Sequence, residues 1–84
     1  MYFVYFAKSD RNGKIYVGFT NKIPNIRVEE HNKGTNAWTG NNGPFKLIYY
    51  ESFVCKEDAQ VREKFYKMGI GKKIKLAIAK AMGT

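Results

Sequence analysis

Cysteine and histidine are nearly absent: Cys55 and His31 each stand alone in a chain of 84 residues. A single cysteine excludes an intrachain disulfide, so nothing in the sequence calls for an oxidising compartment. Together the two residues fall short of the roughly four ligands of a structural zinc site. No apolar run approaches the ~18 residues of a membrane span. The apolar opening Met1-Tyr2-Phe3-Val4-Tyr5 lacks the basic lead-in of a signal peptide and reads as a strand. No membrane role and a cytoplasmic setting are therefore expected. Acidic residues are also scarce, with seven Asp and Glu against fifteen Lys and Arg, a net charge of +8. None follows Glu63, whereas Lys64, Lys67, Lys72, Lys73, Lys75 and Lys80 do. Such an excess of cations gathers polyanions by long-range attraction and counterion release. A nucleic-acid backbone is the expected partner. The alternatives are a lysine face that serves solubility alone and an anionic membrane surface, for which the tail lacks aromatic anchors.

Aromatic residues are plentiful, at 15% of the chain, which argues against disorder. The length suits one small domain over residues 1–84. Tyr2 to Ala7 is a continuous apolar run and predicts a buried strand. Ser9-Asp10-Arg11-Asn12-Gly13 is turn chemistry, and Lys14 to Phe19 returns as the second strand of a hairpin. Pro24 suits a first helical turn and opens a helix to about Asn32. By spacing Ile23, Ile26 and Glu30 lie on one side, and Arg27 and His31, four apart, share another. Gly34 to Gly43 is a polar loop containing Trp38, which could stack on a base or cover the core edge. Phe45 to Phe53 is a third strand. Lys56 to Met68 is a second helix with Glu57 and Asp58 in its first turn, Cys55 at the cap position, and Ala59, Arg62, Glu63 and Tyr66 on one face. Gly69-Ile70-Gly71 breaks the chain. Lys72 to Met82 is a third helix, with Ile74, Ala77, Ile78 and Ala81 forming the apolar side and the lysines the other. The expected fold is α/β, more narrowly α+β: a three-stranded antiparallel sheet flanked by three helices in the order β-β-α-β-α-α.

Five segments carry the chemistry: Phe3-Val4-Tyr5, Tyr16-Val17-Gly18, Arg27-Val28-Glu29-Glu30-His31, Gly43 to Glu51, and Ala59-Gln60-Val61-Arg62-Glu63. In this order and at these gaps they resemble the GIY-YIG nuclease superfamily. They are similar to its short stand-alone bacterial members, related to the nuclease module of the excision-repair incision subunit. The resemblance covers nearly the whole chain. It implies the GIY-YIG fold and a metal-dependent endonuclease that hydrolyses phosphodiester bonds in DNA, in repair, recombination or DNA processing. Phosphodiester hydrolysis needs an activated water, a cation on the phosphoryl oxygens and help for the leaving oxygen. One carboxylate, one arginine and several tyrosines suit a one-metal mechanism.

The resemblance makes Glu63 the ligand of Mg²⁺ or Mn²⁺, an ion that keeps most of its waters and accepts a single carboxylate. It places Arg27 on the scissile phosphate; a salt bridge to Glu30 is the simpler alternative. Tyr5 and Tyr16 can face one side of the hairpin, one orienting or deprotonating the attacking water and the other hydrogen-bonding, or both packing as strand aromatics. His31 could bind phosphate, move a proton or simply pack. Lys14, Arg62, Lys72, Lys73 and Lys75 are candidate nucleic-acid contacts. Phe3 stands where the family usually has glycine. One extra residue precedes Arg27; it either adjusts the helix entry or turns the helix by about 100°. Relatives with known targets usually carry a separate DNA-binding domain, so target choice here would fall to shape, a partner protein or self-association. The competing functions are an inactive nucleic-acid-binding module, a nuclease for RNA or branched structures, and a purely structural subunit.

Overall fold

A computed structural model describes residues 1–33 and 43–82; Trp38 lies outside the described residues. Strands β1 (Tyr2–Ser9) and β2 (Ile15–Thr20) form a hairpin, helix α1 (Pro24–Lys33) follows, then strand β3 (Phe45–Phe53), helix α2 (Lys56–Tyr66) and helix α3 (Gly69–Met82). The sheet is antiparallel with order β2-β1-β3. This is the element order and α+β class expected from the sequence.

The hairpin turn closes through Ser9, whose buried hydroxyl accepts the backbone N–H groups of Arg11 and Asn12 at 3.1 and 3.2 Å. The Asn12 side chain accepts from Lys14 N at 3.0 Å. Because strand side chains alternate, β1 serves two cores. Val4 and Phe6 join Val17, Ala59 and Tyr66 beneath α2 and α3. Tyr5 and Ala7 join Val28 and Phe45 beneath α1. Asn32 fastens the end of α1 to the start of β3 by accepting from Phe45 N and donating to Phe45 O, both at 2.8 Å.

Strand β3 changes face part-way. Phe6 pairs with Tyr49 but Ala7 with Leu47, leaving Ile48 as the extra residue of a bulge. Phe45 and Leu47 therefore pack in the α1 core, while Ile48, Tyr49 and Phe53 pack in the other. A bulge shifts the alternation by one residue, and this shift delivers Tyr49 and Glu51 to α2.

The helices differ from expectation in detail. In α1 the buried residues are Pro24 and Val28, and Ile23 and Ile26 are exposed. Helix α2 ends at Tyr66 with Lys67 as its C-cap rather than running to Met68. Helix α3 begins at Gly69, so Gly71 lies inside it instead of in a break. The packed side of α3 carries Gly71, Lys75, Ile78 and Ala79, whereas Ile74, Ala77 and Ala81 are exposed. Lysine reaches such a place by laying its aliphatic stem along apolar surface, which corrects the expectation that all the α3 lysines face away. Among the described residues no helix is long and apolar enough to cross a membrane.

Candidate active site

Tyr5 lies at the centre of the candidate site. It is 1% exposed and crosses beneath its β2 partner Gly18. A Cβ on Gly18 would stand 2.3–2.7 Å from the Tyr5 ring and hydroxyl, so only glycine lets the ring pass to the β2 edge. Tyr16 lies on the same face, two residues along β2, with its ring centroid 6.2 Å from that of Tyr5. The His31 ring packs on Tyr16 at 5.6 Å. Arg27, one turn before His31 on α1, comes within hydrogen-bonding reach of Tyr5. The extra residue ahead of Arg27 has not turned the helix away. The segment that leads into the helix, Asn21 to Ile23, is exposed. Arg27 also pairs with Glu30 at 3.3 Å, and Lys22 holds the same carboxylate at 2.9 Å.

These neighbours set the protonation states. Burial pushes the Tyr5 hydroxyl far above the ordinary phenol range, and the charge of Glu63 adds to this. Arg27 opposes the shift without cancelling it, so Tyr5 remains a neutral phenol able to donate. Burial lowers the His31 imidazole, and the Arg27 charge lowers it further. His31 is therefore neutral near pH 7, with a ring nitrogen available as an acceptor.

Glu63 approaches from α2. Its charge is felt at Tyr5, and its carboxylate accepts from Lys67 Nζ at 3.0 Å. Lys67, Lys75 and Tyr16 line one cavity of about 330 Å³. There burial, with the charges of Lys72 and Lys67, lowers the Lys75 amine. Among the described residues no three His, Cys, Asp or Glu side chains gather as a metal cluster. The donor set is thus one carboxylate with phenol oxygens nearby, which fits a hard divalent cation that retains its waters and not a transition-metal cage.

The structure brings together Tyr5, Tyr16, Arg27 and His31, and sets Glu63, Lys67 and Lys75 beside them. Lys72 is exposed, close enough to Lys75 for its charge to act there. Lys73 is exposed on α3, and Lys14 is exposed at the hairpin turn. Arg62 is committed elsewhere. Its Nε donates to Glu51 at 3.0 Å and its NH2 to the Tyr66 hydroxyl at 2.8 Å. The guanidinium also lies over the Phe65 and Tyr66 rings. Cys55 caps α2 without a side-chain bond to the helix backbone, and its thiol donates to Glu57 at 3.0 Å.

Glu51 organises a network that sequence reasoning missed. It accepts from Tyr49 at 2.6 Å, from Tyr66 and from Arg62. Burial works to raise its carboxyl, but the bonds from Tyr49, Tyr66 and Arg62 outweigh burial and hold it below 4.5. The network ties β3 to α2 one residue before Glu63. The sequence signal was a carboxylate in a strand made mostly of apolar and aromatic residues. Glu51→Ala should lower stability by about 2–4 kcal/mol, somewhat less than the roughly 3–5 of a fully buried broken pair, because Arg62 is half-exposed. The contribution of Glu51 is complete above the ordinary carboxylate value and is lost as pH falls through its depressed one. Thermal unfolding from pH 7 to 3 checks this: wild type should lose stability below pH 4.5, and Glu51→Ala should lose less. Parallel losses would show that the network contributes nothing.

The chain matches the family model described as the GIY-YIG catalytic domain over residues 1–75. UPF0213 protein CPE1444 of Clostridium perfringens is 40% identical over 68 residues, covering 80% of this chain and 71% of that protein. A UPF0213 protein of Staphylococcus aureus strain Mu3 is 38% identical over 63 residues, covering 74% of each chain. No solved structure is a significant match.

Proposed function

The chain belongs to the GIY-YIG family, and on that premise we propose that it is an endonuclease hydrolysing phosphodiester bonds in DNA, in cytoplasmic repair, recombination or DNA processing. The observation that carries the proposal is the meeting of Tyr5, Tyr16, Arg27, His31 and Glu63 at the edge formed by β2. Arg27 binds the scissile phosphate and opposes the charge that develops there, in a place where its guanidinium is already oriented. Tyr5, kept protonated by burial, donates a hydrogen bond and fixes the water or phosphate in front of it. Tyr16 is the better placed of the two tyrosines to take the water's proton while passing its own to His31, since it is less buried and packs against that neutral ring. Glu63 would hold Mg²⁺ or Mn²⁺. When bound, that cation supplies positive charge to the phosphoryl oxygens and the leaving group. Lys67, Lys72 and Lys75 hold the backbone of the strand near Tyr16, while Lys73 and Lys14 add long-range attraction. Arg62 is a positioning residue that fixes α2 through Glu51.

The Lys67–Glu63 pair favours one other reading. A carboxylate already neutralised by lysine suits a binding module that no longer cuts. The deciding experiment incubates supercoiled plasmid, single strands, branched duplexes and RNA with Mg²⁺, Mn²⁺ or EDTA. Cleavage that requires the cation supports the nuclease, and the substrate cut fastest identifies its class. Salt-sensitive binding of every substrate without cleavage would overturn the nuclease and leave the binding module.

A further inference from the structure

A second cavity, lined by neither Tyr5 nor Tyr16, has Arg27 in its wall. Its volume is about 360 Å³, and Tyr2, Phe19, Lys22, Arg27 and Lys56 line it. Clefts for small ligands start at roughly 300 Å³. Two features distinguish it from an ordinary surface dent. The first is aromatic: Tyr2 and Phe19 lie nearly parallel, with centroids 6.1 Å apart and planes 5° from parallel, and both rings are only partly buried. The second is charge, since three cations converge from separate elements. Lys22 comes from the turn after β2, Arg27 from α1 and Lys56 from the start of α2. Glu30 is the carboxylate that answers Lys22 and Arg27, through pairs that are themselves half-exposed. Exposed pairs of this kind are weakly held, and a phosphate can take the place of the carboxylate.

Aromatic faces beside lysines recognise one ligand chemistry well: a nucleotide, with its base on the ring and its phosphate on the amines. Arg27 forms a wall common to this cavity and the catalytic cluster, so a nucleotide here would be a neighbour of the scissile phosphate on the same strand. Resting on the functional reading above, we propose that the Tyr2–Phe19–Lys22–Lys56 cavity is a nucleotide subsite. It takes the base adjacent to the cut on the Phe19 ring and that nucleotide's phosphate between Lys22 and Lys56. The strand then runs from the Lys67 and Lys75 cavity, past Arg27, to Lys56. Single-stranded or locally opened substrate is implied, because a base paired in a duplex cannot stack on a side chain.

The test measures binding of a fluorescent single-stranded DNA in EDTA, where no cutting confuses the signal. The oligonucleotide contains a preferred cut site and is scanned with single abasic positions. Phe19→Leu removes the aromatic face while keeping an apolar side chain against the core, and its fold is checked by circular dichroism. One abasic position beside the cut should weaken wild-type binding about tenfold. The same position should have no further effect in Phe19→Leu. Lys56→Ala should weaken binding at every sequence and reduce the slope of log affinity against log salt by roughly 0.7. If wild type binds or cuts but no abasic position matters and both variants bind like wild type, the subsite is wrong and the nuclease reading stands. If wild type neither binds nor cuts any nucleic acid, both fall together.

Discussion

Glu63→Gln should cripple cleavage without weakening nucleic-acid binding. A cation on a phosphoryl oxygen contributes several kcal/mol to the transition state, and each 1.36 kcal/mol is tenfold in rate. A loss of roughly 1,000-fold or more is therefore expected. The amide fills the same space on α2, so circular dichroism and thermal unfolding should change little. Binding should strengthen and become more salt-dependent, because Lys67 loses its partner and becomes available to a phosphate. Arg27→Lys should cost roughly 100–1,000-fold in rate, since a point charge replaces a fork beside Tyr5. Single-turnover cleavage and anisotropy on the same oligonucleotide separate the two effects. Undiminished cleavage by Glu63→Gln would remove Glu63 from the mechanism.

Gly71→Ala should be the most damaging single substitution to stability. The added Cβ would stand 1.7 Å from the Phe65 carbonyl oxygen and 2.6 Å from its carbon. Neither belongs to a side chain that can swing away, so α3 must separate from α2. More than about 4 kcal/mol is expected, the range of substitutions with an identifiable steric cause, or a fall in melting temperature on the order of 20 °C. Gly69→Ala is the control. Its φ is +50° with open space around it, and about 1 kcal/mol is expected. Equal losses at the two positions would show that the close approach of α2 and α3 has no energetic weight.

The hairpin, α2 and the limits of β3 were legible because apolar runs, Asn-Gly and the acidic first turn of α2 are local signals. The facing of helix α3 was not, because many of its apolar residues stay exposed, Ile70, Ile74, Leu76 and Met82 among them. Ile74, Ala77, Ile78 and Ala81 satisfy a helical period as well as the residues that pack, and no pattern marks Lys75 as facing inward. Gly71 read as a breaker because close backbone approach leaves the same trace in a sequence as a turn. In β3 the run Leu47-Ile48-Tyr49-Tyr50 has no polar residue to reveal its phase, so the bulge and the delivery of Glu51 to α2 were hidden. The meeting of Tyr5, Tyr16, Arg27 and His31 was anticipated through the order of motifs. Lys67, the close pass of Tyr5 at Gly18 and the second cavity were not, since each depends on packing between separate segments.

The ion pair between Lys67 and Glu63 gives the carboxylate that α2 brings to the site a tethered counter-ion. A divalent cation held by Glu63, as proposed, would exchange with the ammonium instead of meeting a bare charge. Its net stabilisation of the fold would be smaller by what the ion pair already contributes, so a chelator should silence the chemistry and lower the melting temperature only slightly. Lys67, at the C-cap of α2, would then be available to a phosphate of the bound strand.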